Sequence, residues 1–69
     1  MILTSVEAFG MVVKERRKQL GYTQAYISEV TGISTSFISD LENGKKTAEL
    51  GKAIFIANLL GLDIEMKVR

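Results

Sequence analysis

The residues best equipped for chemistry fall in one run, Thr23-Gln-Ala-Tyr-Ile-Ser-Glu-Val-Thr-Gly-Ile-Ser-Thr-Ser-Phe-Ile-Ser-Asp-Leu-Glu-Asn-Gly-Lys-Lys46. Hydroxyls, amides, carboxylates and a terminal pair of lysines dominate it. That is binding chemistry rather than catalysis. The chain has no His and no Cys, and so no His general base and no thiol nucleophile. It also lacks a glycine-rich phosphate loop. Asp40 and Glu42 are two apart on an expected helix and point different ways, so they cannot act as a paired acid and base. No enzyme is expected, and neither a cofactor nor a Cys or His metal site. The run reads as two short helices broken at Gly32, the second polar on one side and apolar on the other. A helix of that kind suits the major groove of double-stranded DNA.

The rest of the 69 residues must position this unit. Such a length allows one domain, 1–69, with a modest core. Helices are expected over about 5–60. Thr4-Ser-Val-Glu7 has the form of a capping box with Thr4 as the cap. The first helix would run from about Ser5 to Leu20, burying Phe9, Val13 and Leu20, with Gly21 ending it. Thr23 caps the second helix, which runs to about Thr31 with Ile27 and Val30 facing inward. Ser34 caps the third, Thr35 to Glu42, whose core residues are Ile38 and Leu41, with Ile33 beside them. Thr47 would cap the fourth, from about Ala48 to Leu60.

The fourth helix is too apolar for a single face. Leu50, Ala53, Ile54, Ala57 and Leu60 fit the core, while Phe55, Ile56 and Leu59 form a second apolar surface. Burial on both sides within one chain is the alternative. After Gly61, residues 62–69 alternate apolar and charged, which is a strand pattern. The expected fold class is therefore all-α with a C-terminal β-strand. That strand would pair antiparallel across a homodimer, with the two-fold axis at Met66. Glu65 would face Lys67 and Asp63 would face Arg69, each an attractive pair. Ile64, Met66 and Val68 would cover Phe55, Ile56 and Leu59 of the dimerisation surface. The two recognition helices would then sit about 34 Å apart, one turn of DNA.

Hydrophobic residues make up 46% of the chain, yet no run approaches the ~18 residues that span a bilayer. The apolar start Met1-Ile-Leu has no basic region before it and no small-residue cleavage site after it, so no signal peptide is expected. The lack of Cys fits a reducing cytoplasm. Net charge is only +1, but it is clustered: Lys14, Arg16, Arg17 and Lys18 in one group, Lys45, Lys46 and Lys52 in another. A solvated helix face is the plain explanation of each.

Residues 9 to 61 resemble the Cro and lambda-repressor-like helix-turn-helix family, also called the Xre family. Arg17, Gly21, Thr23-Gln24, Gly32, Ile33-Ser34, Ile38 and Leu41-Glu-Asn-Gly-Lys45 carry the resemblance. The alternating C-terminus and Glu49-Leu-Gly-Lys52 also look like the HipB-type antitoxin branch. The resemblance implies a four-helix DNA-binding domain acting as a transcriptional repressor on a palindromic operator, and in its sharpest form the antitoxin of a toxin–antitoxin pair. A phage or restriction–modification controller is the alternative, as is a protein-interaction module that kept the fold without binding DNA.

By resemblance, Thr23 and Gln24 meet the DNA backbone, though Thr23 is also a plain helix cap. Thr35, Ser36, Ser39 and Asp40 match the outward positions of the recognition helix. Thr35 and Phe37 could touch a thymine methyl, and Asp40 could accept from a cytosine amino group. Simple exposure of the serines and packing of Phe37 against the fourth helix or a partner chain are the competing assignments. Asn43, Lys45 and Lys46 would grip phosphates. Arg17 and Glu42 match a structural ion pair. This chain departs from the family's strong base readers: its third helix has no Arg, Gln or Lys. Ser28 stands where the family usually has alanine.

Overall fold

The computed structural model describes residues 2–69; Met1, and with it the first residue of the apolar start, lies outside them. Four helices follow one another: α1 Val6–Gln19, α2 Gln24–Thr31, α3 Thr35–Glu42 and α4 Leu50–Leu59. α3 packs against both α1 and α2. The core is built from Val13 of α1, Ile27 of α2, Ile38 and Leu41 of α3, and Ala53, Ile56 and Ala57 of α4, with Leu60 just beyond. Phe9, Ile33, Phe37, Ala48 and Leu62 pack around it.

Local chemistry places most of the boundaries. The Thr23 hydroxyl accepts from the Tyr26 amide at 3.0 Å, and the Ser34 hydroxyl from the Phe37 amide at 3.1 Å. Each satisfies an amide with no partner inside its helix. Between them Gly32 adopts φ 75°, a left-handed geometry that a Cβ resists. Thr31 supports the same turn: its hydroxyl donates to the Ile27 carbonyl at 2.7 Å and accepts from the Ile33 amide at 3.1 Å.

Two caps differ from expectation. Ser5, not Thr4, caps α1, its hydroxyl accepting from the Ala8 amide at 3.1 Å. Burial of Gly10, Val13 and Arg17 sets the helix register, and the register selects between two adjacent hydroxyl residues. Glu49, not Thr47, caps α4. Its carboxylate accepts from the Gly51 amide at 3.0 Å and the Lys52 amide at 2.8 Å. A carboxylate meets two amides at once and suits the positive end of the helix dipole. Thr47 lies in a turn that the Ala48 amide closes on the Lys45 carbonyl.

The phase of α4 also differs. Ala53, Ile56, Ala57 and Leu60 are buried at i, i+3, i+4 and i+7 spacing, so Ile56 is a core residue, only 1% exposed, and not part of a dimerisation surface. Leu50, expected inside, is exposed. Leu20 and Val30 are exposed too. Leu20 is the cap residue that follows α1. Val30 lies on the outer side of α2 near Tyr26, whose ring stacks on Tyr22 with centroids 4.9 Å apart.

The expected C-terminal strand is absent: the described residues contain four helices and no strand. The Leu62 amide donates to the Ala57 carbonyl at 3.0 Å, closing the end of α4 and drawing Leu62 onto the core. Residues 63–69 are exposed, Met66 at 97%. A strand exists through the hydrogen bonds of a neighbouring strand. Four helices offer no such edge, so alternation alone does not make one. No helix among the described residues is long and apolar enough to cross a membrane.

Candidate nucleic-acid interface

The interface rests on an ion pair beneath it. Arg17 Nε donates to Glu42 Oε2 at 2.7 Å and Arg17 Nη2 to Glu42 Oε1 at 2.9 Å, a two-point bridge from α1 to the end of α3. Arg17 Nη1 adds a bond to the Tyr22 carbonyl at 2.8 Å, fixing the turn between α1 and α2. Gln24 Nε2 donates to Glu42 Oε1 at 3.1 Å. The first residue of α2 is thereby tied to the last residue of α3. Both partners of the ion pair are buried, with side chains 10% and 2% exposed.

Burial pushes the Glu42 carboxyl up, but hydrogen bonds from Arg17 and Gln24 and the charges of Arg17 and Lys14 outweigh it, so its pKa lies below the ordinary 4.5. The hydrogen bond to Glu42 raises Arg17 in turn. A carboxyl depressed in the folded state contributes stability above its unfolded pKa and loses it as pH falls through the lower folded value. Thermal stability should therefore be level near neutrality and fall on acidification below about pH 4.5. Glu42→Gln should flatten that limb of the profile. Melting curves from pH 7 to pH 2 check this, and an unchanged acid limb in Glu42→Gln would assign it to other carboxylates.

The residues expected to face DNA are distributed as follows. Thr23, Thr35, Ser36, Asn43, Lys45 and Lys46 are exposed, while Gln24, Phe37, Ser39 and Asp40 are half-buried. Asn43 is exposed at the mouth of the turn, and Lys45 and Lys46 project beyond it. Several of these side chains are engaged with one another or with the ion pair. Besides Gln24, Asn43 Nδ2 donates to the Ser39 hydroxyl at 3.4 Å, and Lys45 Nζ pairs with Asp40 Oδ2 at 3.2 Å. Phe37 packs beside the core, and Lys52 Nζ lies 5.7 Å from its ring centroid. The half-buried ring is shared between the packing around the core and the surface. No group of three metal-ligating side chains occurs among the described residues.

Several positioning residues carry no motif. Gly10 lets α1 approach the Leu41 and Glu42 carbonyls so closely that a Cβ there would meet backbone. A glycine inside a helix costs about 1 kcal/mol relative to alanine, and that cost was the one available signal. Arg16 Nε donates to the Leu60 carbonyl at 2.9 Å, placing a cation at the open end of α4. The basic cluster of α1 is thus divided: Arg16 and Arg17 hold the fold, while Lys14 and Lys18 stay exposed.

Residues 13–66 match the family model HTH_3, described as helix-turn-helix. An uncharacterized HTH-type transcriptional regulator, y4mF of Sinorhizobium fredii (strain NBRC 101917 / NGR234), is 37% identical over 57 residues, covering 83% of this chain and 75% of that protein. The ImmF control region 10 kDa protein of Bacillus phage phi105 is 30% identical over 57 residues, covering 83% of this chain and 63% of that protein. A solved structure, a HipB variant in complex with an O2 20mer, superposes with a TM-score of 0.89 at 26% identity, covering 99% of this chain and 94% of that one. The chain belongs to the HTH_3 helix-turn-helix family of transcriptional regulators.

Proposed function

We propose that this regulator is a sequence-specific repressor that binds a double-stranded operator as a homodimer, and that it is the antitoxin of a toxin–antitoxin pair repressing its own operon. The observation that carries the reading is the surface of α3: exposed Thr35 and Ser36 at its start, and exposed Lys45 and Lys46 just past its end. Hydroxyls there would meet base edges while the lysines and the α2 start at Thr23 and Gln24 meet phosphates. With no Arg, Gln or Lys on α3, DNA shape and bendability would supply much of the discrimination. Phe55 and Leu59, exposed on the outer side of α4, with Ile64, Met66 and Val68 beyond it, support self-association. The likeness to the HipB complex with its O2 20mer supports the antitoxin form. The likeness to the phage phi105 control-region protein favours a second reading, a phage regulator.

A salt titration on random-sequence duplex tests the common part. Affinity should fall steeply as salt rises, because each lysine–phosphate contact releases a counterion. Lys46→Ala should reduce the slope by about one per chain and weaken all duplexes alike. Affinity independent of salt would leave a protein-interaction module instead. Sedimentation of the free protein should return two chains per particle, and a monomer would remove the homodimer. Growth arrest by an adjacent gene, relieved by this chain, separates the antitoxin from the phage regulator.

A further inference from the structure

Asp40 is the one acidic group on the outer side of α3, and its carboxylate is not free. Asp40 Oδ2 lies 3.2 Å from Lys45 Nζ, with the two side chains 44% and 55% exposed. The backbone enforces the encounter. Gly44 takes φ 77° after the end of α3, and the Lys45 amide donates to the Asp40 carbonyl at 2.9 Å. The turn therefore returns Lys45 to Asp40 whatever the side chains do. Lys45 is also one of the two lysines proposed to hold phosphate. A phosphate competes with Asp40 for the Lys45 ammonium, and Asp40 without Lys45 is a bare carboxylate facing DNA.

We propose that Asp40 and Lys45 form a readout latch that makes a phosphate contact conditional on the base opposite Asp40. The inference rests on the DNA-binding reading above. Opposite guanine or thymine Asp40 meets only acceptors, O6 and N7 or O4, and repels them, and adenine sets its N7 acceptor beside the N6 amino group. Lys45 then stays on Asp40 and its phosphate contact is not made. Opposite a cytosine, the N4 amino group donates to the Asp40 carboxylate. The carboxylate is satisfied without the ammonium, and Lys45 moves to the backbone. One cytosine thereby gains a base contact and a phosphate contact together. This gives a recognition helix without Arg, Gln or Lys a sharper response to one base pair than a lone hydrogen bond provides.

The test is a double-mutant cycle on the full chain, with Asp40→Ala, Lys45→Gln and the double variant titrated on random-sequence duplex across a range of salt. Alanine is a strong helix former, so the helix should be retained. Asp40→Ala alone should bind random duplex about two- to fivefold more tightly per chain, the range for release of an exposed ion pair. Its salt slope should steepen by about 0.9, since Lys45 now reaches a phosphate. In the Lys45→Gln background the same substitution should leave the slope unchanged. An equal gain in both backgrounds would mean simple removal of a negative charge and would overturn the latch. Selection from a random duplex pool should enrich a cytosine at one position of each half-site for the natural chain and lose it for Asp40→Ala. The same consensus from both proteins would also overturn it. If the natural chain shows no salt-dependent duplex binding at all, the DNA-binding reading fails first and takes the latch with it.

Discussion

Glu42→Ala is expected to remove much or all of the protein's folding stability. The substitution strands the Arg17 guanidinium, its side chain only 10% exposed, with the Tyr22 carbonyl as its remaining protein partner. Removing one member of a buried pair costs about 3–5 kcal/mol, because the other charge stays desolvated without compensation. A domain of 69 residues has a total stability of roughly 3–10 kcal/mol at about 0.05–0.15 per residue, so the loss takes much or all of it. Gln24 also loses its acceptor, which loosens the start of α2 against the end of α3. Urea unfolding followed by far-ultraviolet circular dichroism measures the effect. Replacing both members, Arg17→Met with Glu42→Leu, should recover stability relative to Glu42→Ala, since an apolar pair removes the stranded charge as well as the bridge. A Glu42→Ala protein within about 1 kcal/mol of the natural chain would show that Arg17 is hydrated and that the bridge contributes little.

Gly10→Ala is expected to cost about 2 kcal/mol net, although alanine is the better helix residue. A Cβ at position 10 collides with the Leu41 carbonyl oxygen and lies 2.9 Å from that of Glu42. Both obstacles are backbone at the end of α3, held by the Arg17 bridge, and cannot rotate away. α1 must move off α3, which opens the core around Val13 and Leu41. Overpacking costs about 1–3 kcal/mol or more, against a propensity gain of about 1. For a domain of this size each kcal/mol lowers the melting temperature by about 4–8 °C. Gly51→Ala is the matched control. Its Cβ would meet only the Glu49 carboxylate, at 2.9 Å, a flexible side chain that can shift at some cost to its α4 cap bonds. That change should cost at most about 1 kcal/mol, the typical worth of a cap offset by the helix propensity of alanine. Equal effects at the two positions would refute the close approach of α1 to α3.

What could be read from the chain alone was whatever is decided within one turn of helix. The inward Ile27, Ile38 and Leu41 follow from helical spacing, and the Thr23 and Ser34 caps and the break at Gly32 from contacts between near neighbours in the chain. Their side chains and backbone interact before any distant partner arrives, so residue type and spacing suffice. The resemblance that carries the family lies in this same stretch, and it extends to the pair Arg17 and Glu42, whose bridge the family pattern implied. Tertiary structure decided the rest. In a helix as uniformly apolar as α4, sequence period does not choose a face. The space left by α1 to α3 chose Ile56 for the interior and left Leu50 outside. Thr4 and Ser5 are equivalent caps until the packing of Gly10 and Val13 sets the register. Arg16 and Lys18 look alike until the end of α4 comes within reach of one of them. The alternating tail carries strand propensity, but a strand is a relation between two segments. Within one chain of four helices the second segment does not exist, so pattern without a partner leaves residues 63–69 exposed and without strand structure.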